Sequence, residues 1–308
     1  MNADRWTADR IPDLSGRTFV VTGASSGLGL VTTRTLVARG AHVVMAVRDE
    51  EKGRAAAASL GAAPGASWEV LRIDLADLDS VREFADRMHA SHSRVDVLIN
   101  NAGTMATPYA LSPQGHELQL ATNHLGHFAL TGLLFDLLLA GRDPRVVTVT
   151  SVNHRRARLP FGDTRRYSPM GVYNSSKLAN AIFGWELHRR LTDAGSPVRS
   201  ILAHPGYTAT NLQLSATTTG WRLVLGRLGN PLLAQPADRG ALPQLFAATD
   251  ASARPGQFVV PDGPGELRGH PVPGKLSPAT TDPENGRRLW TLSEQATGVR
   301  FEALRPSR

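Results

Sequence analysis

The chain has 308 residues, 41% of them hydrophobic and none of them cysteine; it can fill one large domain or two small ones, and it excludes disulfides, thiolate metal sites and cysteine nucleophiles. A net charge of +7 and a pI of about 10.4 invite a nucleic-acid reading, but the arginines are spread out, dense only over residues 154–166 and sparsely interleaved with aromatics, which favours a solvated basic face near an anionic ligand over a nucleic-acid partner. No basic-then-apolar leader opens the chain, and the longest apolar stretch, residues 128–141, is broken by Asp136 and shorter than the roughly 20 residues a span requires, so a soluble, cytoplasmic protein without a membrane span is expected.

From the N-terminus onward, short β-branched apolar runs alternate with helical ones. The strand-like runs are Thr18–Thr22, His42–Val47, Trp68–Ile73, Val95–Asn100, Arg145–Ser151 and Val198–His204, with a seventh at Gly256–Val260. Being apolar nearly throughout, they suit strands covered on both faces. Helical segments lie between them at Gly27–Arg39, Asp79–Ser91, Gln114–Leu139 and Val172–Leu191. In the second of these, Val81, Phe84, Ala85 and Met88 share one helical face. Leu130, Leu133, Leu134 and Leu137 are core candidates in the third.

The alternation predicts right-handed βαβ units, hence an α/β fold with a doubly wound parallel sheet (a Rossmann fold) of about seven strands and helices on both faces. No linker divides it, so one domain over residues 1–308 is expected, with its core at 15–260. Residues 205–235 read as a substrate flap and 261–308 as a C-terminal extension. Within the extension, Pro261–Pro278 reads as an extended loop, followed by a closing helix near Pro283–Ala296 that returns Leu289, Trp290 and Leu292 to the body.

The turn between the first strand and first helix reads "VVTGASSGLG", Val20–Gly29. In a doubly wound sheet this is where strand ends meet backbone N–H groups and the positive end of a helix dipole. Gly23 permits a tight turn, and Gly27 and Gly29 allow close approach to the helix backbone, so the turn reads as a phosphate cradle. No Gly-Lys-Ser/Thr ending marks it as a triphosphate loop. At the end of the second strand stands Arg48, without the acid that would bind bare ribose hydroxyls. That favours a 2′-phosphorylated dinucleotide, NADP(H) over NAD(H), with Ser25 and Ser26 adding hydroxyls beside Arg48. Asp74, after the third strand, is placed for an adenine amino group or for helix capping.

Tyr173 and Lys177 are four residues apart, on one helical face, where an ammonium would favour the phenolate and lower the tyrosine pKa. Ser151 ends the fifth strand at the same sheet edge, and Asn123 sits in the long helix. His124 and His127 in that helix lack a third ligand, so no metal site is expected there or elsewhere.

"TGASSGLG", "NNAG" (Asn100–Gly103), Asn123, Ser151, "YNSSK" and "HPGYTAT" (His204–Thr210) occur in one order, and the chain resembles the short-chain dehydrogenase/reductase family from about Ser15 to Val260. The resemblance implies Tyr173 as acid/base, Ser151 polarising the substrate oxygen, Lys177 binding the nicotinamide ribose and tuning the tyrosine, and Asn123 holding a water in a proton relay. It implies cofactor contacts at Gly23, Ser25, Ser26, Gly27, Leu28, Gly29, Arg48, Asp74, Leu75, Asn101, Ala102, Gly103, Tyr173, Lys177, Pro205, Gly206 and Thr208.

"RDEEKG", "NHLGHF", "YNSSKLAN", "LWTLSEQATG" and the 22-residue interval from Ser151 to Tyr173 resemble the retinol-dehydrogenase-like subgroup. The lack of an N-terminal anchor and the arginine-rich segment 154–166 depart from it and argue against a retinoid. The implied activity is NADP(H)-dependent interconversion of a carbonyl and an alcohol on an apolar small molecule, with segments 152–170, 205–235 and 261–278 setting the substrate. Alternatives are a C=C reductase of the same fold or a non-catalytic dinucleotide-binding protein. In the family the helices bearing Asn123 and Tyr173 often form a dimer face, although monomers exist, so the resemblance allows a homo-oligomer.

Overall fold

The computed structural model describes residues 5–61, 63–159, 167–208 and 235–304. Eight strands form one sheet: β1 Thr18–Thr22, β2 His42–Val47, β3 Ser67–Arg72, β4 Val97–Asn100, β5 Arg145–Val149, β6 Arg199–Ala203, β7 Phe258–Pro261 and β8 Pro271–Pro273. Their order is β3-β2-β1-β4-β5-β6-β7-β8, parallel except for the last pairing. The order reverses between β1 and β4, which opens a crevice at the carboxyl ends of those strands, where ligands of such sheets bind.

Alternation along the strands divides the core in two. Val20, Val44, Leu98 and Val146 face one layer, built from α3 (Leu78–Ser91), α4 (Gly126–Leu133), α5 (Phe135–Leu139), α6 (Pro169–Asp193) and α8 (Pro283–Thr297). Phe19, Val21, Met45, Ile99 and Val147 face the other, with α1 (Gly27–Val37), α2 (Glu50–Ala57) and α7 (Leu242–Thr249). Burial on both faces is why the strand sequences are apolar nearly throughout.

Two expectations are corrected. The segment after β7 is not all loop: Pro271–Pro273 forms an antiparallel edge strand on β7. Its prolines cannot donate to a ladder, which confines such a strand to an edge and hides it from a propensity reading. Nor is Gln114–Leu139 one helix. A turn at Leu118–Leu120 runs into a π-turn at Ala121–Leu125, then α4, and Leu134 departs from helical geometry (φ −96°, ψ 10°) before α5.

The closing helix forms as expected, capped by Asp282 on the N–H of Glu284 and ended by Gly298 at φ 69°. Leu289 and Trp290 are buried, whereas Leu292 is half-buried. Trp290 packs on Phe128 and Phe301, and the Arg190 guanidinium lies 4.2 Å from the Trp290 ring centre. Most of the expected flap, residues 209–234, lies outside the described residues, as do 160–166 of the arginine-rich segment. Among the described residues no helix is long and apolar enough to cross a membrane.

Candidate active site

The glycine turn leaves β1 at Gly23, with φ 69°, and enters α1 at Gly27, with φ 53°. Both values fall where L side chains are strained, so glycine is required. A Cβ on Gly29 would lie 2.2 Å from the Gly23 carbonyl oxygen and 2.8 Å from Asn101 Nδ2. Gly29 therefore lets the turn fold back on its own helix. Ser26 is the N-cap residue, but its side chain makes no capping hydrogen bond. The first-turn N–H groups thus present the positive helix end to an anion. Ser25 is half-buried and Ser26 exposed.

The neighbouring strand ends close around this turn. Arg48 is exposed just past β2, which pairs with β1 through Thr22 and Ala46. The Asp74 carboxylate accepts the N–H of Ala76 and its own backbone N–H donates to Ser80 Oγ, so it also shapes the loop before α3. Leu75 is buried, and its carbonyl would sit 2.2 Å from a Cβ on Gly126. On the far side, Gly206 turns at φ 72°, and both Thr208 Oγ1 and Gln235 Nε2 donate to the Pro205 carbonyl. A Cβ on Gly240 would meet Thr208 Oγ1 at 2.3 Å and Leu28 Cδ2 at 2.9 Å, so the loop carrying Pro205, Gly206 and Thr208 rests beside the start of α1.

Asn101, Ala102 and Gly103 follow β4. The N–H groups of Asn101 and Ala102 both donate to Thr22 Oγ1, at 2.9 and 3.0 Å, and Asn101 Nδ2 donates to the Thr22 carbonyl at 2.7 Å. Thr22 Oγ1 also lies 2.9 Å from His127 Nε2, and His127 Nδ1 lies 2.9 Å from the Asn123 carbonyl. A carbonyl only accepts, so Nδ1 carries the proton and Thr22 donates to Nε2. Burial holds His127 neutral, its pKa lowered to about 4. Sequence reasoning missed this pair, although Thr22 directly precedes the glycines and His127 is one helical turn from Asn123. Gln244 was missed as well; its Nε2 donates to Thr32 Oγ1 at 2.5 Å.

Asn123 occupies the π-turn, a departure that recurs at functional sites. Its Oδ1 accepts the Thr104 N–H, while Nδ2 donates to the Thr104 carbonyl and to Ser176 Oγ. The side chain thus clamps the loop after β4 to α6. His124 turns elsewhere and pairs with Ser293.

Tyr173 and Lys177 are both buried on α6. The helix starts at Ser168, which caps the Gly171 N–H, with Pro169 in its first turn. Lys177 Nζ lies 5.9 Å from the Tyr173 ring centre and donates to the Val149 carbonyl at 3.3 Å. The Lys177 carbonyl accepts the Thr150 hydroxyl, fixing α6 on the end of β5. A Cβ on Gly103 would lie 3.4 Å from Lys177 Nζ and 3.2 Å from Asn123 Oδ1, so the loop after β4 touches the lysine and the asparagine together.

The expected electrostatics need correction. Burial pushes the Tyr173 phenol up to about 12, with a hydrogen bond from Ser151 as the one opposing influence, and burial pulls Lys177 down to about 8. Desolvation disfavours the charged form of both groups and is the dominant influence on each. At neutral pH the phenol is neutral and the ammonium still largely charged.

A family model described as short chain dehydrogenase matches residues 17–220. The chain belongs to the short-chain dehydrogenase/reductase family. Human retinol dehydrogenase 13 is 35% identical to it, over 95% of this chain and 88% of that protein, and human retinol dehydrogenase 12 is 36% identical over 94% and 89%. These relatives place this dehydrogenase/reductase in the retinol-dehydrogenase-like subgroup, as an oxidoreductase of CH–OH and C=O groups. A crystal structure of an uncharacterised protein from Mycobacterium paratuberculosis superposes with a TM-score of 0.80 at 46% identity, covering 96% of this chain and 99% of that one. A structure described as an NAD(P)-dependent gluconate 5-dehydrogenase from Beutenbergia cavernae, with NADP bound, shares 27% identity at a TM-score of 0.60, covering 80% and 95%. The family binds a nicotinamide dinucleotide. The residues of this site fit one: the glycine turn is too tight for any Cβ at Gly29, the α1 N–H groups are uncapped by a side chain, and the loop after β4 leads from them to Lys177.

Proposed function

We propose that this enzyme interconverts a carbonyl and an alcohol on an apolar small molecule, with NADP(H) as cofactor and Tyr173 as the acid/base. The observation that carries the reading is the buried pair itself: a neutral phenol at Tyr173 with the Lys177 ammonium one helical turn away, on the helix packed against the end of β5 that leads into Ser151. When bound, the dihydronicotinamide supplies the hydride. The chain's own residues supply the rest. Ser151 holds the carbonyl oxygen, and the Tyr173 O–H delivers its proton there as charge develops, so that C=O becomes CH–OH. Lys177 spends one of its three N–H donors on the Val149 carbonyl, leaving two for the ribose hydroxyls and the phenolate oxygen. Asn123 positions the loop after β4. Arg48 supports NADP(H), standing exposed where a 2′-phosphate would lie.

The test is a panel of aldehydes and ketones with NADPH, followed by absorbance, on wild type and Tyr173→Phe. General acid catalysis is worth about 10²–10⁴-fold, so the variant is expected to lose at least 100-fold in kcat while NADPH affinity stays within about threefold. Unchanged turnover in Tyr173→Phe refutes the assignment. NADPH binding without turnover of any carbonyl by wild type would point instead to a C=C substrate or a non-catalytic role.

A further inference from the structure

At the opposite end of the sheet from this site, three metal-ligating side chains converge that the activity does not use. His42 opens β2 and pairs with Ser67 of the edge strand β3, two residues before Glu69. Since paired parallel residues share a face and side chains alternate, His42, Val44 and Glu69 lie on one face of the sheet. It is the face that α3 covers, and α3 ends there with His92 as its C-cap residue. His92 Nε2 lies 2.6 Å from Glu69 Oε1 and His42 Nε2 lies 3.5 Å from the same oxygen. One donor atom from each of the three residues falls within 4.8 Å of the others.

The hydrogen bonding within the cluster is unequal. His92 pairs with Glu69, but His42 Nε2 is shielded from solvent and has no hydrogen-bond partner. The other ring nitrogen of His42 is fixed by Ser67 Oγ at 2.7 Å, the kind of outer contact that orients a metal-bound imidazole. The three side chains are 27%, 32% and 13% exposed, leaving room for an ion to enter with water as a fourth ligand.

We infer that His42, Glu69 and His92 form a binding site for a borderline divalent transition metal, with Zn²⁺ as its best occupant. Two imidazoles and one carboxylate are a zinc donor set, too soft for Mg²⁺ or Ca²⁺. Metal–ligand bonds of about 2.0–2.2 Å at tetrahedral angles separate ligand atoms by about 3.4 Å. The His42–Glu69 spacing of 3.5 Å already matches, and His92, at the end of its helix, must withdraw by somewhat under an ångström. The ion would tie the sheet edge to the end of α3. The site lies at the amino ends of the strands and the glycine turn at their carboxyl ends, so it acts on stability and leaves catalysis alone. It departs from the expectation of a chain without a metal site, because these ligands are 23 and 27 residues apart in sequence and no short motif announces them.

The test uses the full chain, untagged and stripped with EDTA. Calorimetric titration with ZnCl₂ is expected to show one equivalent bound at micromolar or tighter affinity, and Co²⁺ to give the visible bands of a tetrahedral site. His42→Gln, Glu69→Gln and His92→Gln are each expected to weaken binding at least tenfold, while His188→Gln changes it less than twofold. Zn²⁺ should raise the melting temperature of wild type and not of the His42→Gln/His92→Gln variant, whose melting temperature in EDTA serves as the folding control. No stoichiometric binding by wild type, or equal affinity in the double variant, overturns the site.

Discussion

Replacing Thr22 by Val keeps the volume and β-branching of a strand-end residue and deletes one hydroxyl. In the structure that fully buried oxygen accepts the N–H groups of Asn101 and Ala102, at 2.9 and 3.0 Å, and contacts His127 Nε2 at 2.9 Å. The valine leaves the Ala102 N–H and one ring nitrogen without their partner, while the Asn101 N–H keeps the Ile99 carbonyl at 2.9 Å. Each orphaned group costs about 1–3 kcal/mol, and partial relaxation of the loop brings the expected total to about 2–5 kcal/mol. Urea unfolding followed by circular dichroism measures it. NADPH affinity should fall in parallel, because the same hydroxyl sets the Asn101–Gly103 loop against the glycine turn. Thr22→Ser separates the hydroxyl from the methyl: it should cost about 1 kcal/mol, the transfer value of one buried methyl group, and retain cofactor binding. A valine variant within 1 kcal/mol of wild type, or a serine variant as damaged as valine, would refute the reasoning.

Gly29→Ala forces a Cβ to within 2.2 Å of a backbone oxygen that cannot swing aside, and should weaken NADPH at least tenfold by fluorescence titration. Arg48→Glu should weaken NADPH at least tenfold and NADH less than threefold; equal loss on both would remove Arg48 from phosphate recognition. Acid should destabilise the fold early. Burial lowers His124 to about 3, His127 to about 4 and His204 to about 3, so the unfolded chain takes up protons that the folded one refuses. Stability is then undiminished above the unfolded value of about 6.5 and falls by about 1.4 kcal/mol per pH unit per histidine as the pH drops from there towards 4. Urea midpoints at pH 7 and 5 read this, and a flat profile would show that these rings are not held neutral.

The parallel strands were legible because burial on both faces writes itself as unbroken apolar runs, and the glycine turn because positive φ at Gly23 and Gly27 leaves little choice of residue. β8 was not, since Pro271 and Pro273 oppose a strand reading and only the free edge of β7 makes it feasible. The breaks in the Asn123 helix carry no proline signal. Gly126 marks the end of the π-turn, and its missing Cβ admits the Leu75 carbonyl, a contact 51 residues back in sequence that no local pattern reveals. Thr22 and His127 escaped for the same reason, being ordinary residue types whose meaning lies in a contact across 105 positions.

The Tyr173–Lys177 pair shows most clearly where residue spacing stops being informative. Four positions on a helix fix the shared face, and from that alone the ammonium should favour the phenolate. Proton affinity is set by the medium as well as by the neighbour, and the medium here is the packed interior between α6 and the end of β5, which only the fold supplies. With Lys177 Nζ 5.9 Å from the ring centre and both groups buried, desolvation wins, raising the phenol to about 12 and lowering the lysine to about 8. A neutral phenol is the correct state for giving a proton to a carbonyl oxygen and the wrong one for taking a proton from an alcohol. Under the proposed function, the protein as folded is therefore set for reduction at neutral pH, and alcohol oxidation should require a more alkaline medium. Initial rates in both directions from pH 6 to 10 would show this as an oxidation rate that climbs with pH while reduction does not, and matched profiles would contradict it.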